Sequence, residues 1–148
     1  TTRAQLVTML YRHAGSPKAA KSSPFTDVTD SWSVDAINWA FEKGVVNGTS
    51  STTFSPNDAI TRQDMATILY NYTKNVLDLD VYDTADLTGY PDYSSISDYA
   101  RTPLSWAVAQ ALILGVGNSN GVDTLQPKGD ATRAQTATII MRFCQNVL

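Results

Sequence analysis

Apolar residues recur at helical spacing behind three closely similar caps. Leu6, Met9 and Leu10 follow Thr2-Arg3-Ala4-Gln5. Met65, Ile68, Leu69, Tyr72 and Val76 follow Thr61-Arg62-Gln63-Asp64, and Ile139, Ile140, Phe143 and Val147 follow Thr132-Arg133-Ala134-Gln135. Steps of three and four predict amphipathic helices. Each Thr stands where an N-cap belongs, with its hydroxyl placed to accept from an orphan N–H of the first turn. Gln5 and Gln135 complete a capping box, Asp64 offers a shorter version, and Ile60 with Met65 forms a hydrophobic staple. Two further stripes lie between the caps. One runs from Ser33 through Ala36, Ile37, Ala40 and Phe41 to Gly44. The other runs through Leu104, Trp106, Ala107 and Ala111, with Pro103 in its first turn. The pattern predicts an all-α fold with five main helices near 3–14, 33–43, 62–75, 103–113 and 133–147. Phe54 and Leu125, close before Pro56 and Pro127, form short extended segments, at most isolated bridges.

The helices belong to an internal repeat. Tyr90-Pro91-Asp92 answers Phe25-Thr26-Asp27, and Tyr99 stands before Trp106 as Trp32 stands before Trp39. Gly115 answers Gly48, and Leu125-Gln126-Pro127 answers Phe54-Ser55-Pro56. The loop from Val116 to Thr124 is longer than its counterpart. The chain therefore holds the second half of one repeat (1–15), a complete repeat (25–77) and another (90–148). A Pro/Ser/Lys linker fills 16–24. An acidic connector from Val76 to Gly89 carries Asp78, Asp80, Asp83 and Asp86 but lacks the Glu and turn glycine of a calcium loop, so a solvated segment is expected. The chain opens directly on a helix cap and reads as a piece of a longer protein.

Arg3, Arg62 and Arg133 occupy the first helical position, where a cation opposes the macrodipole at a cost of about 0.3–1 kcal/mol. Repetition of an unfavourable choice points to a task. Free N–H groups, a positive dipole end and a guanidinium fork together suit anion capture. The bland alternative is an Arg that packs its stem and pairs with a nearby Asp.

Composition narrows the class. The chain of 148 residues is 43% hydrophobic and 17% charged, with net charge −3 and pI about 4.9. No basic stripe exists to neutralise phosphates, which argues against nucleic acid. No apolar run approaches the ~20 residues of a membrane span. The single cysteine, Cys144, precludes an internal disulfide, and its spacing from Ile140 predicts a buried thiol. That usage fits the cytosol and Gram-positive surface proteins equally. His13, the only histidine, aligns with Tyr72 and Phe143 and is expected to be a packing or semi-exposed ring. No His pair, Cys–His set, nucleophile elbow or zinc motif is present, so an enzyme is not expected and no metal or cofactor is implied. Trp39 and Trp106 fall on apolar stripes and should be core. Trp32 and Tyr99 precede their helices and are candidates either to contact a ligand or to seal the helix start.

The order Phe25-x-Asp27-Val28, Trp32, Ala36-Ile37, Gly44 to Gly48, Phe54-x-Pro56, Ile60-Thr61-Arg62 closely resembles the S-layer homology domain. The third unit is looser, with Tyr99, Leu125 and Ala131 at the corresponding places. The first unit keeps only its Thr-Arg-Ala-Gln helix. The resemblance implies a three-pronged pseudo-trimer with the Thr-Arg helices bundled at its centre. It implies non-covalent anchoring of a surface protein to the bacterial cell wall, outside the cell. The implied ligand is an anionic secondary cell-wall polysaccharide, often carrying a pyruvate ketal on N-acetylmannosamine, or in some lineages peptidoglycan. The implied site lies in grooves between prongs and maps onto Arg3, Arg62, Arg133, Trp32, Tyr99, Gly48 and Gly115. If each groove joins a Thr-Arg helix to the next front segment, Arg3 faces Asp27–Trp32 and Arg62 faces Asp92–Tyr99, while Arg133 lacks a partner. The incomplete first prong would be filled by upstream sequence or by another molecule. It would otherwise leave apolar surface on the Leu6 helix, giving a homodimer or a weaker N-terminus. The alternative function is a protein–protein module in which the arginines pair with a partner's carboxylates.

Overall fold

The three Thr caps form as their spacing predicts. In the computed structural model, which describes residues 1–117 and 121–148, they open α1 (Arg3–His13), α3 (Arg62–Asn75) and α5 (Arg133–Asn146). The hydroxyls of Thr2 and Thr132 accept from the N–H of Gln5 and Gln135, and each Gln returns the bond to its cap residue. Thr61 accepts from Asp64 N–H at 3.2 Å, but Asp64 makes no return bond to the cap. α2 (Ser31–Glu42) and α4 (Arg101–Ala109) lie between them.

Successive repeats are stitched through these helix starts. Ile60 N–H donates to Thr1 O at 3.0 Å, and Ala131 N–H donates to Ile60 O at 2.9 Å. The orphan N–H groups of Arg3 and Ala4 donate to Asp58 O and Pro56 O; those of Arg62 and Gln63 donate to Gly129 O and Pro127 O. The next repeat's loop thus satisfies the helix start that precedes it. Side chains grip the same loop. Arg3 Nε donates to Phe54 O at 2.9 Å, while the Asp27 carboxylate accepts from the N–H groups of Phe54 and Ser55 at 2.9 and 2.8 Å. Arg62 Nε, Asp92 and the Leu125–Gln126 backbone repeat the arrangement at 2.8, 3.0 and 2.7 Å.

At the far ends of the same helices the aligned rings of His13, Tyr72 and Phe143 meet. Tyr72 lies 5.9 Å from His13 and 6.3 Å from Phe143 between centroids, and His13 Nδ1 is 2.6 Å from the Tyr72 hydroxyl. Along their length, however, the closest backbone neighbours of α1 and α3 are α2 and α4. Tyr11 packs on Trp39 at 5.5 Å and Tyr70 on Trp106 at 5.7 Å, and both tryptophans are buried as expected. Leu6, Leu10, Met65, Ile68, Leu69, Ile139 and Phe143 are buried, but Met9, expected in the same seam, is 42% exposed.

Several expectations need correction. Apolar surface is uncovered at Met9 on the Leu6 helix, and more of it lies on α5. Leu6 and Val7 are fully buried under α2, whereas Ala137, Met141 and Cys144 are exposed where α1 and α3 hold Val7/Ala66, Tyr11/Tyr70 and Ala14/Thr73. Cys144 is therefore an exposed thiol. α2 begins at Ser31, so Trp32 belongs to its first turn. α4 follows 3-10 turns at Tyr93–Ser95 and Asp98–Ala100, the second of which holds Tyr99, and it stops at Ala109. Ala111 there adopts φ 58, at the position where Gly44 adopts φ 70 after α2. The extended segments at Phe54 and Leu125 stay within the expected limit, and the isolated bridges join Thr2 to Ala59 and Thr61 to Asp130 instead. In the long loop, β1 (Val116–Gly117) pairs antiparallel with β2 (Asp123–Thr124), and 118–120 lie outside the described residues. The acidic connector is docked: Val81 and Leu87 are buried, and Ala85 N–H donates to Ser105 O of α4 at 3.1 Å. Val81 and Leu87 turn inward, while Leu79, Tyr82, Asp80 and Asp83 face water.

Two outcomes follow from this packing. Leu69→Ala should lose about 2–5 kcal/mol of unfolding free energy, as for a buried Leu, and Met9→Ala no more than about 0.5 kcal/mol, as for a surface change. Denaturant titration reads both, and a Leu69→Ala loss as small as the Met9→Ala loss would remove α3 from the core. Burial acts to raise the Asp27 pKa, but bonds from Phe54 and Ser55 N–H and the charge of Arg3 outweigh it and hold the carboxyl below its ordinary value of 3.8. A depressed carboxylate contributes stability above its unfolded pKa and loses it as pH falls through the lower folded value. Asp27→Asn should therefore flatten the fall in stability from about pH 5 downward; an unchanged acid slope would contradict the clamp.

Candidate functional site

The first-position arginines divide into two kinds. Arg3 and Arg62 are 7% and 4% exposed. Besides Phe54 O, Arg3 reaches Asp64 Oδ2 through Nη1 at 2.8 Å, and its guanidinium lies 4.8 Å above the Phe54 ring. Arg62 Nη2 donates to Leu114 O at 2.9 Å; burial lowers its pKa and the charge of Asp92 opposes that shift. Arg133 is exposed, and it makes no hydrogen bond or ion pair to the described residues.

Gly48 and Gly115 both make room for an aromatic ring. Gly48 has φ 85, and a Cβ there would stand 2.4 Å from the Phe25 ring and 2.6 Å from Thr53 O. At Gly115 it would stand 2.7 Å from Asp123 Cβ and 3.2 Å from the Tyr90 ring.

Three faces of the Thr-Arg helices align by sequence: Gln5-Thr8-Met9-Arg12 on α1, Asp64-Thr67-Ile68-Asn71 on α3, and Gln135-Thr138-Ile139-Arg142 on α5. The α1 face borders a cavity of about 480 Å³ that Thr1, Trp32 and Arg133 complete. Trp32 is 48% exposed. Arg12 and Arg133 both line the cavity, and among the described residues no Asp or Glu does. The α5 face borders a cavity of about 360 Å³ with Arg62, Arg142 and the segment from Leu112 to Val116, which includes Gly115. It too has two arginines and no lining carboxylate, but no aromatic.

The α3 face is occupied by its own side chains. Asp64 Oδ1 accepts from the Tyr99 hydroxyl at 2.6 Å while Oδ2 accepts from Arg3. Gln63 Nε2 donates to Ser97 Oγ at 3.0 Å, and Ser97 N–H donates back to Gln63 Oε1 at 3.1 Å. Burial first, and then the bond and charge of Asp64, push the Tyr99 hydroxyl up to about 12. Asn71 stands where the other faces have Arg and donates to Val45 O.

The expected pairing of arginines with front segments is half observed. Arg3 and Asp27 hold one anchor, as do Arg62 and Asp92. The aromatics go elsewhere: Trp32 shares its cavity with Arg133, and Tyr99 joins Arg3 through Asp64. The cause is the seating of α2 along α1, which turns the first turn of α2 toward the start of α5. Arg133, expected to lack a partner segment, is the arginine that faces Trp32. Arg12 and Arg142 were not singled out from sequence, although they share a helix face with Gln5 and Gln135 and recur in two of the three copies.

The comparisons agree with this architecture. The S-layer homology domain profile matches residues 24–66 and 89–137, well over half of the chain. An endoglucanase from Bacillus sp. (strain KSM-635) is 37% identical over 142 residues, which is 94% of this chain and 14% of that protein. The surface-layer 125 kDa protein of Lysinibacillus sphaericus is 32% identical over 147 residues, 99% of this chain and 12% of that protein. The S-layer protein sap of Bacillus anthracis is 31% identical over 128 residues, 85% of this chain and 14% of that protein. The chain thus spans only a small part of each of these relatives. Named enzymes and surface-layer proteins alike share this segment, and the chain belongs to the S-layer homology domain family.

Proposed function

We propose that the chain anchors its parent protein to the bacterial cell wall by binding an anionic wall polysaccharide in the cavity between α1, Trp32 and Arg133. It works at the cell surface, in association with the wall. The carrying observation is the pairing of Arg12 and Arg133, with no lining carboxylate, beside a half-exposed indole in one open cavity. An indole face suits a pyranose ring. A guanidinium fork suits a carboxylate such as that of a pyruvate ketal, and two forks without a counter-charge favour an acidic sugar over a neutral one. Arg62, Arg142 and Gly115 form a second, aromatic-free groove for the same polymer. Arg3, Tyr99 and Gly48 take structural parts here: Arg3 and Tyr99 in the self-occupied α3 face, Gly48 beneath Phe25.

The parent protein's activity lies outside this binding module, whose match to the endoglucanase covers 14% of that enzyme. In this reading the module comprises the second half of one repeat at 1–15 and complete repeats at 25–77 and 90–148 as a pseudo-trimer, a reading that the contacts of the Tyr72 ring with His13 and Phe143 support. Among the described residues no helix is long and apolar enough to cross a membrane. A second reading, self-association through α5, is favoured by Met141 and Cys144 standing exposed on one face; sedimentation as a monomer at all concentrations would exclude it.

Calorimetry with a pyruvylated N-acetylmannosamine disaccharide and its plain counterpart tests the main reading. A charge-assisted hydrogen bond is worth about 1.5–3 kcal/mol, so Arg133→Ala should weaken binding of the pyruvylated sugar about ten- to a hundredfold. Arg133→Lys should restore it only in part, because an ammonium lacks the planar fork. Retention on wall sacculi should fall once acid has stripped the secondary polymer. Unchanged retention would instead identify peptidoglycan, and unchanged affinity in both Arg133→Ala and Arg12→Ala would remove the ligand from this cavity.

A further inference from the structure

The three aligned helix faces share one plan and differ at named positions. In each, a first-position arginine from another Thr-Arg helix lies close to the residue at the capping-box position: Arg133 with Gln5, Arg62 with Gln135, Arg3 with Asp64. On the first face Trp32 completes the set, and on the middle face Tyr99 does. Gln5 and Gln135 spend their carbonyl oxygens on the cap N–H of Thr2 and Thr132 at 2.9 and 3.1 Å, so they stay folded back on their own helices. Asp64 is one methylene shorter and makes no such bond. Its carboxylate turns outward and lies between Arg3 at 2.8 Å and the Tyr99 hydroxyl at 2.6 Å.

We infer that Asp64 is a built-in occupant of the middle groove: it fills, from within the chain, the place where the open grooves receive a carboxylate of their ligand. This deepens the reading of the grooves as anion sites and rests on it. Three observations converge. Both oxygens of Asp64 are engaged, one by a guanidinium N–H and one by a hydroxyl donor on an aromatic ring. Around the open cavity Arg133 and Trp32, which correspond to Arg3 and Tyr99, border empty space of about 480 Å³. The charges also differ. The open faces each gather two arginines, whereas the middle face balances Arg3 against Asp64 and has Asn71 in place of the second arginine. A carboxylate approaching the middle face meets a neutralised, hydrogen-bonded cluster and would have to displace a carboxylate that no entropy of association holds there. Asp64 therefore sets how many anion sites the chain offers, and the middle groove becomes a site when Asp64 is replaced by the Gln of the other repeats.

The probe is free pyruvate ion, titrated while the arginine Nε–H signals and backbone amides are followed by NMR. In the wild-type chain, signals of Arg133 and Arg12 should shift saturably and those of Arg3 and Ser97 should stay fixed. In Asp64→Gln, Arg3 and Ser97 should gain a saturable shift while Arg133 behaves as before. Asp64→Asn, which keeps the size and removes the charge, should do the same, and Asp64→Gln combined with Arg3→Lys should weaken the new shift. The unfolding midpoint of each variant verifies that it is folded. No saturable shift at Arg3 in either folded Asp64 variant, or an equal shift already present in the wild type, overturns the inference. Loss of response at Arg133 in the wild type with a gained response at Arg3 in Asp64→Gln would overturn the groove reading and leave Asp64 as a displaced internal anion.

Discussion

Everything in this fold depends on the grip that one repeat's helix start takes on the next repeat's loop. An arginine pulls on the carbonyl of Phe54 or Leu125 while an aspartate accepts the neighbouring N–H groups, so the anchor is held from both sides. Two orphan N–H groups of the same helix bond the same loop. Hydrogen bonds to charged partners are worth more than neutral ones, and leaving a buried member without its partner costs more still. The cost of a cation at the first helical position is offset because the cation is spent on carbonyl oxygens and the dipole's positive end faces carbonyls too. On α5 no carbonyl among the described residues meets the N–H groups of Arg133 and Ala134, and there the arginine remains exposed.

That difference separates two settings of one motif, buried and bonded or exposed. Arg3 meets the bland reading, with a packed stem and an ion pair to Asp64. Arg62 is buried on carbonyl oxygens rather than on an Asp and also borders the groove beside α5, and Arg133 is exposed. Identity at the motif position therefore does not imply identity of role. What decides is whether the following repeat's loop arrives to take the donors.

Much of this was legible in the sequence because it rests on local chemistry. Helix caps and the burial of Trp39 and Trp106 follow from spacing, and alignment of the repeats puts His13 in register with Tyr72 and Phe143. The failures share a physical cause: each needed knowledge of which helix covers which face. Met9 and Cys144 sit on helical stripes that α2 and α4 do not cover, so periodicity alone misjudged them. The acidic connector looked solvated by its charge, but Val81 and Leu87 carry it onto the protein. Arg12 escaped notice because its significance lies in sharing a cavity with Arg133 of a helix far away in sequence. The departure of Asp64 from Gln was visible, but its consequence was not, since it depends on Arg3 and Tyr99 arriving from two other repeats.

Trp32 offers a direct view of the central claim, because Trp39 and Trp106 are each 1% exposed and Trp32 alone meets solvent. Quenching of tryptophan fluorescence by iodide therefore reports the open cavity. Purified acidic wall polysaccharide should protect the quenchable fraction in a saturable manner, and neutral glycan should not. If saturating polymer is retained by the protein while iodide reaches Trp32 as freely as before, the polymer binds elsewhere and the cavity of Arg12, Trp32 and Arg133 is not its site.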